Sequence, residues 1–366
     1  MKILLISNMY PDEKFPNYGV FVKNTETILE EADFKVSHLV MYKKKLKISK
    51  IISYLRHYFL IIYKCLVYNY DYIYVHYATH NSIPLLIVKK LKKNLTIITN
   101  VHGSDVIPET KIHNILQRPV QSLLKNSYKI ITPSNYFKQI VSEKYGVSNQ
   151  IEVFPSGGIN EEVFYRISDK EYLYDKYKLE SDIRYIGFVG RIDFGKGWDV
   201  LIKAVHLLNI ENSLVDKKII IVGDGIKSKE LDQLISEYNL EDKVIRFNML
   251  RQSQLNEIYN LMEVFCFPTL REGESLGLVG IEAMASGTPV IGSEIGGLLD
   301  YIIDGKNGLL FKPGDTIELK NKIISFFNYS QEKRELLGAE SIVTANRYSK
   351  GELTLVIKKI FQEKRG

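Results

Sequence analysis

Cysteine is nearly absent: Cys65 and Cys266 are the only two in 366 residues, and 201 positions separate them. No disulfide framework and no metal-ligand spacing can be built from such a pair, and the scarcity fits a reducing compartment such as the cytoplasm. Long apolar runs are missing as well. The opening MKILLISNMY holds one lysine and an apolar run that stops at Asn8, shorter than a signal-peptide core. The longest unbroken apolar stretch, Tyr58–Tyr63, ends at Lys64, far short of the ~20 residues that a membrane-spanning helix needs. We therefore expect neither secretion nor a membrane span. Asp-x-Asp occurs nowhere, and no Gly-x-Gly-x-x-Gly follows the first apolar run. A paired-carboxylate metal clamp and a dinucleotide fingerprint are both without support.

What is present is ordinary globular composition, 45% hydrophobic and 25% charged, which excludes a disordered or collagen-like chain. The length suggests two domains, since single cores stop growing near ~250–300 residues. Charge is divided unevenly. Residues 1–165 carry 21 Lys and Arg against 13 Asp and Glu, a net of +8, whereas residues 166–366 carry 28 against 30, a net of −2. The first half is expected to face something anionic.

Short β-rich runs alternate with longer amphipathic ones throughout. Six fall in the first half, at 2–7, 35–40, 72–76, 95–101, 129–132 and 151–154. Six more fall in the second, at 185–189, 218–222, 244–247, 264–268, 289–292 and 308–311. Helical spacing fills most intervals, as at 197–209, 229–238, 253–262 and 278–285. Alternation of this kind predicts an α/β protein with parallel sheets covered by helices, and six strands on each side fit two Rossmann-like domains better than one barrel. We place an N-terminal domain at 1–165, a linker at 166–183, a second domain at 184–345 and a C-terminal helix at 346–366. A ligand cleft is expected at the carboxyl ends of the strands.

Two segments carry chemistry. In Glu274-Ser-Leu-Gly-Leu-Val-Gly-Ile-Glu282, two carboxylates stand eight apart, the first in a glycine-containing loop and the second inside the following helix. Gly277 lets backbone amides approach a ligand, and the helix starting near Leu278 turns its N-terminus toward it. Glu282 can accept both hydrogens of a vicinal diol such as a ribose. The same acids also fit as solvated carboxylates favoured by the helix dipole. The second segment, Gly190-Arg191-Ile-Asp-Phe-Gly-Lys196-Gly197, puts a guanidinium and an ammonium five apart among glycines, a clamp for two phosphates or else a solvated turn.

These elements resemble the retaining glycosyltransferases of the GT-B fold, family 4 (glycosyl transferases group 1). The Glu-x7-Glu element with its Ala-Met-Ala-x-Gly-x-Pro-Val tail and Gly-Arg-x4-Lys-Gly carry the resemblance. His102-Gly-Ser-Asp105, Pro155-Ser-Gly-Gly158, Val222-Gly-Asp-Gly225 and Gly296-Gly297 with Asp304–Phe311 support it in order and spacing. The resemblance implies two Rossmann-like domains facing a central cleft, with the C-terminal helix crossing back to the N-terminal domain, and a hexosyltransferase-type enzyme using a nucleotide-diphosphate sugar. It implies Arg191 and Lys196 on the diphosphate, Glu274 on the transferred sugar, Glu282 on the ribose, and Ser275, Leu276, Gly277 and Leu278 lining the donor. Arg246 would lie near the base. From the N-terminal domain, Gly19 would approach the phosphates and His102 the sugar near its reacting carbon. Many relatives have two adjacent glycines where this chain has Asn17-Tyr18-Gly19. Asp105 either orients His102 or caps the next turn.

The same resemblance implies transfer with retention and without metal, the departing phosphate accepting the acceptor's proton. Uridine is favoured over guanosine as the base. The acceptor would be a saccharide or lipid-linked molecule in surface polysaccharide or glycolipid synthesis, and the enzyme cytoplasmic, at the inner face of the membrane. An epimerase of the same fold and a non-catalytic nucleotide-sugar-binding protein are the alternatives. Residues 43–64, with six Lys and one Arg, put Ile48, Ile51, Ile52, Leu55, Phe59 and Ile62 on one helix face. We expect that face to pack on the sheet, with the basic end as a peripheral contact to anionic lipid. No nucleic-acid module accompanies the charge, so no nucleic-acid partner is expected.

Overall fold

The computed structural model describes residues 1–15, 18–44, 46–147, 150–155 and 157–362. Asn17, Lys45 and Ser156, which belong to segments read above, lie outside them. The chain divides into two units: residues 1–158 with 350–366, and residues 159–349.

In the first unit the chain order is β1 (Lys2–Tyr10), α1 (Val20–Glu31), β2 (Lys35–Tyr42), α2 (Lys47–Val67), β3 (Tyr72–His76), α3 (Ala78–Leu91), β4 (Ile97–Asn100), α4 (Lys111–Ile115), α5 (Gln117–Lys125), β5 (Lys129–Thr132), α6 (Asn135–Tyr145) and β6 (Ile151–Val153). The strands form one parallel sheet in the order β2-β1-β3-β4-β5-β6. Alternate residues of β1 serve opposite faces, as the two-residue period of a strand requires. Leu4 and Ile6 pack with Ile61 of α2, Leu85 of α3 and Leu123 of α5, while Ile3 and Leu5 meet Val22 and Ile28 of α1.

The second unit runs α7 (Glu171–Tyr177), β7 (Arg184–Val189), α8 (Trp198–Ile210), β8 (Lys217–Val222), α9 (Ser228–Glu237), β9 (Val244–Phe247), α10 (Gln252–Leu261), β10 (Met262–Phe267), α11 (Leu278–Ala285), β11 (Val290–Ser293), β12 (Gly308–Phe311), α12 (Thr316–Asn328) and α13 (Gln331–Asn346). Its parallel sheet is ordered β12-β11-β10-β7-β8-β9. Read from the β9 edge this is third, second, first, fourth, fifth, sixth, the Rossmann order. The first sheet has instead the flavodoxin-like order with one strand added at its edge.

Three features differ from the sequence reading. Residues 166–183 are no free linker: Phe164, Leu173 and Leu179 sit in the core of the second unit with Tyr259, because the Tyr-rich stretch supplies apolar anchors as well as charge. The C-terminal helix starts at Lys350 and not at 346, the pattern being interrupted at 347–349; α14 (Lys350–Gln362) belongs to the first unit, where the resemblance puts it, and packs Leu353, Ile357 and Phe361 onto the α1 side of its sheet. Finally, α2 does not bury the face expected. His57, Ile61 and Cys65 are its buried residues, whereas of the expected face only Ile62 packs against the core, and in part, while Ile48, Ile51, Ile52, Leu55 and Phe59 are each at least 60% exposed. The helix is apolar on two opposite sides, and the sheet takes the narrower one.

Candidate functional site

Helix starts separate structural from ligand-ready positions. The helices α6, α12 and α13 begin on side-chain caps: Ser134 accepts from the Phe137 amide, Asp315 from Glu318 and Ser330 from Lys333. In contrast, α1, α8 and α11 begin on Gly19, Gly197 and Gly277 with φ of 76°, 75° and 75° and no side-chain cap. The third amide of α1 and of α11 is met by the cap carbonyl, Val22 to Gly19 at 3.0 Å and Gly280 to Gly277 at 2.9 Å; the amides that open a helix have no intrahelical acceptor, the arrangement that receives anions. These helices follow β1, β7 and β10. The strand order reverses beside those strands, between β1 and β3 and between β7 and β10, where open α/β sheets bind ligands.

In the second unit the loops after β7 and β10 lie directly on each other. A Cβ on Gly197 would stand 1.7 Å from the Pro268 carbonyl oxygen, and one on Gly277 would stand 2.4 Å from the Phe267 ring, so both positions require glycine. The Leu270 amide donates to the Gly195 carbonyl at 2.8 Å. This stacking brings Lys196 Nζ to 2.7 Å from Glu274 Oε2, with the two side chains only 15% and 13% exposed. The Thr269 hydroxyl donates to the same carboxylate oxygen at 3.3 Å. Burial acts to raise the Glu274 carboxyl, but Lys196, Arg271 and Thr269 outweigh it and hold the group below the usual carboxylate range. Glu274 is therefore an anion already matched to a cation.

The other expected donor residues lie around this pair. Arg191, on the Lys196 loop, reaches Asp193 at 2.7 Å and leaves its side chain largely in solvent. Arg246, near the end of β9, is paired with Asp232 and directs Nη2 at the Gly223 carbonyl, 3.4 Å away at the end of β8. Its Nε, buried, has no partner. Ser275 and Leu276 are held by the close passage of Gly297, whose Cβ would meet the Ser275 carbonyl at 2.2 Å. Leu278 opens α11. Glu282, five residues into that helix, accepts a hydrogen bond from the Tyr259 hydroxyl of α10 at 3.2 Å. Burial raises its carboxyl to about 7, against which the Tyr259 bond acts only weakly. Two acids eight apart thus have opposite character, one fixed as an anion and one poised to titrate near neutrality.

In the first unit, Phe21, in the first turn of the helix that Gly19 starts, holds its ring centroid 4.7 Å from that of His102. His102 Nε2 is 2.9 Å from Nδ1 of His76, the last residue of β3. Burial drives His102 down to about 3 and His76 well below its usual value, so both imidazoles are neutral. Asp105 does not touch the imidazole of His102. It accepts from the backbone amides of His102 and Ala78 and from the Thr79 hydroxyl. Sequence reading missed His76, Tyr77 and Tyr259. Tyr77 stacks on His102 at 4.9 Å with φ of 64°, a conformation that bulky residues rarely hold. The available signal for His76 was its place at the end of the strand that pairs with β4, opposite Asn100. Among the described residues, no three His, Cys, Asp or Glu side chains are grouped to hold a metal ion.

Comparison with known proteins agrees with the fold. Residues 18–158 match the family described as Glycosyltransferase Family 4, and residues 169–342 match Glycosyl transferases group 1. An uncharacterized glycosyltransferase of Methanocaldococcus jannaschii is 27% identical over 300 residues, 80% of this chain and 75% of that protein. Sucrose-phosphate synthase of Thermosynechococcus elongatus superposes with a TM-score of 0.80 at 20% identity, covering 99% of this chain and 98% of the other. Anabaena HepE in complex with UDP gives 0.79 at 18% identity over the whole of both chains. These neighbours share the GT-B fold.

Proposed function

The chain is a GT-B glycosyltransferase of family 4, group 1, and from that premise we propose that it moves a sugar from a nucleotide diphosphate, UDP before GDP, with retention of configuration and without a metal. The observation that carries this reading is the buried Lys196–Glu274 pair at the strand-order reversal of the second unit. Burying two opposite charges costs desolvation that packed apolar residues would avoid. Here the pair adjoins two uncapped helix starts, so its fitting role is to meet a ligand bearing both negative phosphate and hydroxyl groups.

In this proposal the diphosphate lies on Arg191, Lys196 and the first amides of α11. Glu274 accepts hydrogen bonds from the transferred sugar, Glu282 takes the ribose diol, and Arg246 lies beside the base. On the first unit, the backbone at Gly19 meets phosphate, and the neutral imidazole of His102 meets a sugar hydroxyl. With its imidazolium form confined below about 3, His102 acts by hydrogen bonding and not as a general acid at neutral pH. The anomeric C–O bond breaks with its electron pair leaving on the β-phosphate, where Lys196, Arg191 and the amide dipoles stabilise the charge. The acceptor oxygen bonds to the anomeric carbon on the same face, and its proton passes to the departing phosphate. No general base is required.

The UDP held by Anabaena HepE supports uridine as the base. The basic balance of residues 1–165 supports a lipid-linked or anionic saccharide acceptor of surface polysaccharide or glycolipid synthesis, used at the inner face of a membrane. Calorimetric titration with UDP and with GDP in EDTA tests the core of the reading. UDP is expected to bind with the metal removed. Binding of neither nucleotide would overturn the donor assignment.

A further inference from the structure

The exposed side of α2 has a composition unlike a solvated helix face. Ile48, Ile51, Ile52, Leu55 and Phe59 are 73%, 61%, 60%, 65% and 66% exposed. At the pitch of an α-helix they fall within an arc of about 100°, so they form one continuous stripe. Contiguous apolar surface of this kind marks an interaction site on a soluble protein. Beside it, α3 adds Ile83, Ile87 and Leu91, 38%, 43% and 66% exposed. The two helices are joined by the Tyr54–His80 ring contact at 4.8 Å.

Charge states what the stripe meets. Between Asp33 and Asp71 there is no acidic residue, and there are eight Lys and Arg. Lys47 and Arg56 project on opposite flanks of the stripe, and Lys43 and Lys44 lie just before the helix. Between β2 and the middle of α2 is a cavity of about 280 Å³ whose lining includes Lys44, Ser53 and Arg56. A second copy of this chain would set cations against cations across the same face. A nucleic acid would leave the isoleucines and Phe59 without a partner. Anionic lipid satisfies both parts, because acyl chains take the stripe and headgroup phosphates take the flanking cations. No helix among the described residues is long and apolar enough to cross a membrane, so the fitting geometry is in the plane of the surface.

We propose that α2 is an in-plane anchor that seats the first unit on an anionic bilayer, with the Ile48–Phe59 stripe in the headgroup region and Lys44 and Arg56 on lipid phosphate. The inference deepens the reading of a lipid-linked acceptor and rests on it, since a bilayer-seated first unit is placed where such an acceptor is found.

The full chain would be sedimented with vesicles of phosphatidylcholine alone and of phosphatidylcholine with phosphatidylglycerol. Binding is expected to the anionic vesicles, and to fall at least about tenfold when the anionic lipid is omitted. Ile51→Glu/Leu55→Glu/Phe59→Glu should abolish it, and Lys44→Glu/Arg56→Glu should erase the preference for anionic lipid. Phe59→Trp should be quenched by brominated acyl chains, whereas the native Trp198, 5% exposed in the second unit, should not. Three results would overturn the anchor: no binding of the parent to anionic vesicles, equal binding of the triple variant, or a parent dimer that the triple variant dissolves into monomers. UDP calorimetry on the same samples separates the two readings and reports folding. UDP binding without vesicle binding refutes the anchor and spares the transferase, while vesicle binding without nucleotide binding does the reverse.

Discussion

In the second unit the residues at the strand-order reversal carry charge and face each other, Lys196 on Glu274 at 2.7 Å. At the matching strand ends of the first unit stand two imidazoles, His76 and His102, that burial keeps neutral. The two sheets are both parallel, six-stranded and entered by a glycine-started helix beside the reversal. The backbone device is therefore shared and the side chains laid over it differ. A site that pairs its own charges before the ligand arrives suits a polyanionic donor, whose phosphates replace one partner while its hydroxyls satisfy the other. Neutral rings suit the hydroxyl groups of a sugar, and the glycine-started helix beside them leaves backbone amides for phosphate.

The sharpest way to break this contrast is to remove the cation. Lys196→Ala should lower transfer by about a thousandfold and weaken UDP binding with it, because one group serves both the bound diphosphate and the charge that develops on it. It should also destabilise the unit, since Glu274 is left buried without its partner. Unchanged UDP affinity in calorimetry would refute the phosphate role. Glu274→Gln follows, with transfer down about a hundredfold and UDP binding equal to or tighter than the parent, because Lys196 is released to the phosphates. Parallel loss of both activities would make Glu274 a structural anchor for its loop.

How far each half was readable from sequence follows the same contrast. All twelve strands are legible because each is a short apolar run between polar or glycine-rich turns, and the observed ends fall within a few residues of the expected ones. The loops at 190–197 and 274–282 are legible because glycine, charge and spacing are local properties. The pairing of Lys196 with Glu274, 78 positions away, is not local. It depends on β7 and β10 being neighbours, which strand order decides and no single segment reveals. His76 was hidden for the same reason, its partner lying on the next strand of the sheet. The outward stripe of α2 was misread because both sides of that helix are apolar, and periodicity cannot say which one the sheet will take. The join at 158/159 escaped notice because the Tyr-rich residues after it pack as core while reading as a polar connector.

On the neutral side, His76→Phe removes the ring nitrogen that fixes His102 and keeps the volume. Transfer should drop about tenfold, roughly the worth of one buried hydrogen bond with its orientation, while UDP affinity stays as in the parent. Loss of UDP binding in step with transfer would show that the pair acts on the fold and not on the sugar.

The smallest effect is one of pH, and it separates the units without disturbing either. Glu282 titrates at about 7 in the free protein because burial disfavours its charge. A ribose diol donates two charge-assisted hydrogen bonds to the carboxylate but only weaker ones to the protonated carboxyl, so bound donor favours the charged form and pulls its pKa down. Binding then releases a proton, and affinity must rise with pH across the free-protein value. UDP should bind about fivefold more tightly at about pH 8 than at about pH 6, beyond any change that Glu282→Gln still shows from the phosphates themselves. The imidazoles add nothing over that range, since His102 titrates at about 3 and His76 lower than its usual value. A parent and a Glu282→Gln variant with the same pH slope would remove Glu282 from the ribose. A slope abolished by changing His102 instead would mean that the charge-bearing and neutral sides had been assigned the wrong way round.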